Sequence, residues 1–184
     1  MNHAYIVTES NSSTLVLQQL LPKHIMSNIK FVSCTNYDSA QNIAGNLLLI
    51  KQRPVALILD ADSIDPETIS DRRVMNEELL RFSAVAPFQV ILAVPEIEIL
   101  LFQDREVVEE LFDQEISDVD WVRAEFIPRT ILQKLLTQNS HPDTLEQLLD
   151  RLTPPMIAKL RNHPLLQEVT EFLAQVSDTQ LVPV

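Results

Sequence analysis

Glycine is almost missing from this chain. Gly45 is the single example in 184 residues, which excludes the P-loop and the dinucleotide fingerprint, because both need backbone bare of side chains against a phosphate. Cysteine is as scarce. Cys34 alone rules out an internal disulfide and any cysteine-based metal site, and its place in the apolar stretch 29–35 marks a small core residue rather than a reactive thiol. Basic residues are in deficit too: 14 Lys and Arg against 26 Asp and Glu give a net charge of −12. Such a surface repels a polyanion over about a Debye length, so metal-free binding to nucleic acid is disfavoured. No apolar run approaches the roughly 18 residues that span a bilayer, so no membrane association is expected. Residues 1–7, Met-Asn-His-Ala-Tyr-Ile-Val, run into a strand without a basic-then-apolar leader, and a cytoplasmic protein is the expectation. The four histidines, His3, His24, His141 and His163, are too scattered to suggest zinc.

Apolar residues make up 46% of the chain and charged residues 22%, proportions that suit a globular core with room for a small extension. The apolar stretches 5–8, 29–34, 55–59 and 88–94 read as strands, and helical spacing follows each of them. Ser12 or Ser13 is placed to cap the first helix. The second is expected over 38–52, and Asp65-Pro66 opens a third that runs to 82 or 84. Glu96 opens a fourth, with Ile97, Leu100, Leu101, Val108 and Leu111 on its apolar side. Strict strand–helix alternation predicts a doubly wound, mainly parallel α/β sheet of four strands in the order 2-1-3-4. After residue 115 only helical patterns remain, near 128–138, 143–151, 154–161 and 164–176. Thr153 and Asn162 are candidate caps. The division expected is an α/β domain over 1–115 and a helical C-terminal extension over 116–184, packed on it.

Charge is unevenly spread. Residues 96–120 hold ten acids against Arg105 alone. A helix carrying such a run is a natural docking surface for a basic partner. Trp121 and Phe126 behind it are expected to anchor the tail in the core, and Arg72 and Arg73 are candidates to face a partner.

The acids that carry most chemical promise stand at strand ends, where ligands of open α/β sheets collect. Asp60-Ala61-Asp62 follows the strand Pro54-Val55-Ala56-Leu57-Ile58-Leu59, Glu9 follows the first strand, and Glu96 and Glu98 follow the fourth. Asp60 and Asp62 share one face if the strand stays extended. Magnesium takes one or two carboxylates together with water and phosphate oxygens, so Asp60, Asp62, Glu96 and Glu98 are candidate Mg²⁺ ligands, with Glu9 as a candidate general acid or base. The plainer alternative is that Asp62 and Asp65 cap the following helix, Asp60 accepts backbone bonds, Glu96 and Glu98 complement a helix dipole, and Glu9 is a solvated loop residue.

A glutamate after the first strand and Asp-x-Asp after a later one resemble the Toprim domain of topoisomerases, primases and OLD-type nucleases. The resemblance covers residues 4 to about 115 and is closest to compact bacterial Toprim-like proteins, in which a Pro-Val-Ala-Leu strand leads into Asp-Ala-Asp and a later one into Pro-Glu-Ile-Glu. It implies a Mg²⁺-dependent nuclease or phosphoryl-transfer protein acting on nucleic acid, with Glu9 as acid or base and Asp60 and Asp62 on the metal. OLD-type domains are joined to an ATPase, so the resemblance also implies a separate ATPase partner. Ser10 stands where glycine is usual in that family, and Ser63-Ile64-Asp65 lacks the glycine that commonly follows Asp-x-Asp. These departures define the alternative, a catalytically inactive Toprim-like protein-interaction module. A receiver-type signalling domain shares the sheet, but it expects paired acids after the first strand and a lysine after a fifth.

Overall fold

The structure is a computed structural model that describes residues 3–138 and 142–178. Its centre is a parallel sheet of β1 (Ala4–Thr8), β2 (Ile29–Ser33), β3 (Val55–Asp60) and β4 (Phe88–Ala93). The strand order is β2-β1-β3-β4, as the alternation of strands and helices predicts. β3 is paired on both edges and covered on both faces, and every one of its residues is buried. That is why its sequence is apolar without alternation. The register sets Thr8 opposite Ile58 and Asp60 opposite Ala93, so the ends of β1, β3 and β4 share one edge.

The two faces of the sheet are covered unequally. On one, Val7, Val55, Leu57, Leu59, Val90 and Leu92 meet α3 (Tyr37–Asn46) and α4 (Pro66–Arg81). On the other, Ile6, Ala56, Ile58 and Ile91 join α1 (Asn11–Leu20) and residues of the C-terminal helices, among them Leu132, Leu148, Leu160 and Phe172, in one continuous core. The helices of that layer are α5 (Arg105–Phe112), α6 (Asp118–Ala124), α7 (Pro128–Gln138), α8 (Leu145–Asp150), α9 (Pro154–Leu160) and α10 (Pro164–Asp178). A short α2 (Lys23–Met26) precedes β2. No helix among the described residues is long and apolar enough to cross a membrane. Cys34 is buried, as expected.

Local chemistry shifts several expected boundaries. Ser10, rather than Ser12 or Ser13, caps α1 by accepting the Ser13 N–H at 3.1 Å. The helix expected over 38–52 is α3 followed by a π-helical turn, Leu47–Lys51, and it stops where Gln52 turns left-handed at φ 50°. Asp65 caps α4 through the Thr68 N–H at 2.8 Å, as its proline neighbour predicts. The helix expected at Glu96 is a 3₁₀ segment, Ile97–Phe102, and α5 starts afresh behind an Asp104 cap. α6 was not expected, because its apolar residues Val119, Trp121, Val122 and Ala124 are spread around the helix and form no single stripe. Before α10 it is His163, not Asn162, whose side chain accepts a backbone N–H, that of Leu165 at 3.1 Å. His141 and its neighbours Asn139 and Ser140 lie outside the described residues.

Candidate functional site

Asp60 is the last residue of β3 and is 1% exposed. A carboxylate so deep needs partners, and each oxygen has one. Oδ1 accepts the Ile97 N–H at 2.8 Å, which ties β3 to the start of the 3₁₀ segment. Oδ2 accepts from the Arg129 guanidinium. Arg129 sits in the first turn of α7, and its planar group is shared among three acids. Nε and Nη2 donate to the two oxygens of Glu98 at 3.1 and 3.2 Å, and Nη1 lies 3.2 Å from Glu96. Glu96 uses its other oxygen to accept the Arg129 backbone N–H at 3.0 Å. It thereby satisfies one of the free donors at the start of α7.

Glu9 completes the cluster from the end of β1. Its carboxyl lies close enough to Asp60 for each to perturb the other's charge. Its Oε2 is buried with no partner among the described residues. Three carboxyl groups therefore share one guanidinium with Glu9 close behind Asp60, and that excess of acid favours retention of a proton. Burial, then the Glu9 charge, push the Asp60 carboxyl up to about 8 against the opposing pull of Arg129. Glu9 is raised as well, chiefly by burial, with the neighbouring Asp60 working the other way. Burial pulls the Arg129 guanidinium down, but hydrogen bonding with Glu98 and the charges of Glu98 and Asp60 more than reverse this, so it stays cationic.

Asp62 is not part of this cluster. The strand ends at Asp60, and Asp62 adopts a left-handed backbone at φ 50°, a conformation aspartate tolerates better than most residues. Its N–H donates to the Pro95 carbonyl at 2.9 Å while its carboxylate turns outward to Arg72 at 3.0 Å. Arg72 in turn lies over the Tyr37 ring, 4.6 Å from its centroid. The shared face expected for Asp60 and Asp62 is lost because the extended backbone does not continue. Beside the cluster, Asp62, Ser63, Ile64, Pro95, Glu96, Phe126 and Ile127 line a depression of about 360 Å³.

Among the candidate ligands, the fold thus brings Glu9, Asp60, Glu96 and Glu98 together and leaves Asp62 on the rim. As folded, these acids do not fit a magnesium ion. Every carboxylate oxygen of Asp60, Glu96 and Glu98 is committed to the Arg129 guanidinium or to a backbone N–H, and no group of three or more Asp, Glu, His or Cys among the described residues is arranged to hold a metal. Arg129 is the functional residue that sequence reasoning missed. Its neighbours, Pro128 and Thr130, mark only a helix start. The available signal was indirect: the acid-rich stretch 96–120 needs counter-charge from somewhere, and Arg129 is among the first bases after it.

The same need is met along the whole acidic stretch. Eight of its ten acids lie in ion pairs, Asp104 and Glu106 with Lys159, Glu109 and Asp118 with Arg105, Asp113 with Arg151, Asp120 with Lys134, and Glu96 and Glu98 with Arg129. Most of those cations come from the C-terminal helices. The segment expected to attract a basic partner thus spends much of its charge on cations of its own chain, while Glu106, Asp113 and Asp118 stay exposed. Arg73, also a candidate to face a partner, bonds Glu168 of α10 at 2.9 Å. Trp121 does pack inward, 6.4 Å from the Phe102 ring, whereas Phe126 is half exposed.

No family model matches the chain, and no curated protein or solved structure shows significant similarity to it.

Proposed function

We propose that this chain is a catalytically silent Toprim-like interaction module, in which an internal arginine stands where the resemblance would put Mg²⁺. One observation carries the reading: the Arg129 guanidinium reaches Asp60, Glu96 and Glu98 at once. A guanidinium gives those acids one fixed positive charge and directed hydrogen bonds, but it offers no open coordination position for water or phosphate. The outward turn of Asp62 toward Arg72 supports the same reading, since it removes the second aspartate of the Asp-x-Asp pair from the cluster. Ser10 fits as well. Its hydroxyl is spent on capping α1, at the position where close backbone approach to a phosphate would ask for glycine. By resemblance to OLD-type domains, an ATPase acting in trans is the class of partner such a module would serve.

The test is metal-linked stability. A ligand that binds only the folded state raises its melting temperature by mass action. Wild-type protein titrated with Mg²⁺ or Mn²⁺ to about 10 mM should melt within about 1 °C of the metal-free value, and it should leave single- and double-stranded DNA intact. Arg129→Gln frees the acids of their cation and should acquire a metal-dependent rise. A rise of several degrees in wild type that Asp60→Asn abolishes, together with DNA cleavage, would overturn the proposal in favour of the Mg²⁺-dependent nuclease.

A further inference from the structure

Asp62 is the acid of the Asp-x-Asp pair that the arginine cluster leaves unused. Three non-glycine residues among those described have a left-handed backbone, Gln52, Asp62 and Asp113. Gln52 and Asp113 end helices, where such a turn is common. Asp62 ends none, and its turn sets a side chain 53% exposed at the edge of the depression lined also by Ile64, Pro95, Glu96, Phe126 and Ile127. Its Oδ2 accepts from Arg72, while Oδ1 has no partner among the described residues. Glu96, the other acid of the depression, has both oxygens taken by Arg129.

The rest of the depression is mainly apolar. Ile64 and Phe126 line it half exposed, at 50% and 51%. From Phe126 the apolar surface continues along α6, whose Trp121 and Ala124 turn inward while Val119 and Val122 stay exposed. The Phe126 and Ile127 N–H groups both donate to the Arg123 carbonyl at 3.0 Å, so the helical turn persists, and Val119, Val122 and Phe126 fall at i, i+3 and i+7 on one outer row. That row is about 10 Å long. Exposed acids Asp65, Glu67 and Glu125 flank the depression and the row, with Arg123 as the exposed base beside them.

We propose that the depression and the row beside it hold a basic amphipathic segment of a partner protein, with an arginine or lysine side chain seated against Asp62. This names the partner chemistry of the interaction module and rests on that reading. The place is the carboxyl edge of a parallel sheet, where ligands collect, and a volume of about 360 Å³ suits one long side chain. The free Asp62 oxygen selects the occupant. Covering Ile64 and Phe126 with an apolar or acidic surface would bury that oxygen without a donor, which is unfavourable. A basic side chain supplies the donor, its alkyl stem packs on apolar surface, and the Phe126 ring offers a face to its charge. The local balance agrees. Glu9, Asp60, Asp62, Glu96 and Glu98 gather at this edge around two guanidinium groups, Arg72 and Arg129, so a further positive charge is attracted where a negative one is repelled. Apolar side chains of the same segment then cover Val119 and Val122.

Titration of the full chain with a synthetic amphipathic helical peptide of leucine and arginine, followed by amide resonances in metal-free buffer, tests this. Wild type should bind it with shifts centred on Asp62, Ile64, Val122 and Phe126. Citrulline in place of arginine keeps the shape and removes the charge, and it should weaken binding about tenfold or more. Phe126→Ser and Asp62→Asn should each weaken it about fivefold or more with an unchanged far-ultraviolet spectrum, since Asn tolerates the left-handed turn. Glu110→Gln, at an exposed acid outside the depression, should leave the affinity unaltered. Equal affinity for the citrulline peptide overturns the proposal, as does a loss with Glu110→Gln that matches the loss with Asp62→Asn, or the absence of binding at about 1 mM peptide. The buffer holds no divalent metal, so failure here leaves the metal experiment to be judged on its own.

Discussion

Asp60 has two neighbours that pull its proton affinity in opposite directions, and burial decides between them. Arg129 favours the charged carboxylate, while desolvation and Glu9 favour the neutral one and prevail, at about 8. An unfolded aspartate titrates near 4, so between about pH 4 and pH 8 the folded protein holds a proton that the unfolded chain has released. The linked stability is complete below about pH 4 and is lost as pH rises through 8. Between pH 6 and pH 8 the loss should be about 2 kcal/mol, measurable by urea denaturation at the two values. Asp60→Asn imitates the protonated form and should flatten that dependence. A wild-type profile that is flat over the same interval would show that Asp60 is ionised throughout. At the same scale, Arg129→Gln should cost about 2 kcal/mol at pH 7. That is less than the 3–5 typical of a broken buried pair, because the arginine side chain is 35% exposed and its environment is partly screened.

At the scale of elements, helix starts show how small changes in position redirect a side chain. α1 is capped by Ser10, whose hydroxyl also lies 2.7 Å from that of Ser13. Ser10→Ala should lower stability by about 1 kcal/mol, while Ser12→Ala should leave it nearly unchanged. Equal losses in urea denaturation would contradict the Ser10 cap. α7 is started differently, with Glu96 from a distant segment accepting one of its backbone donors. Sequence reading finds the first kind of cap only to within three residues, expecting Ser12 or Ser13, and overlooks the second, because a local motif is visible in a window of four residues and a contact across 33 positions is not. The 3₁₀ segment after β4 illustrates the same limit. Its apolar residues are as buried as a helix pattern predicts, but the tie from Ile97 to Asp60 fixes its start.

For the whole molecule, the acidic stretch and the C-terminal helices form one electrostatic and apolar unit. Lys134, Arg151 and Lys159 bring charge back to residues 104–120, and Leu132, Leu148, Leu160 and Phe172 share a core with Ile58 and Ile91. The helical extension is therefore a covering layer of the sheet rather than an appendage. A fragment ending at residue 115 loses that cover and most of its counter-charge. It should show helical far-ultraviolet signal without dispersed amide resonances, or should aggregate. A folded, cooperative fragment would separate the two parts that the shared core joins. The surface left over after this packing among the described residues includes the outer side of α4, where Met75, Leu79 and Phe82 are exposed.

The sequence by itself determined the sheet. Four apolar runs alternating with helical spacing predict a parallel sheet, and the order β2-β1-β3-β4 is one of those that right-handed crossovers allow. With that order, Glu9 and Asp60 end adjacent strands, as the β1–β3 pairing shows. Only the tertiary structure decided what the acids do there. Whether Asp62 points with Asp60 or away depends on one left-handed backbone turn. Whether the acid cluster faces a metal or an arginine depends on where α7 begins in space, 69 residues along the chain from Asp60. Hydrophobic periodicity is a local quantity and survives in the sequence. The pairing of one charge with another is set by packing, and it is legible only once the helices are in place.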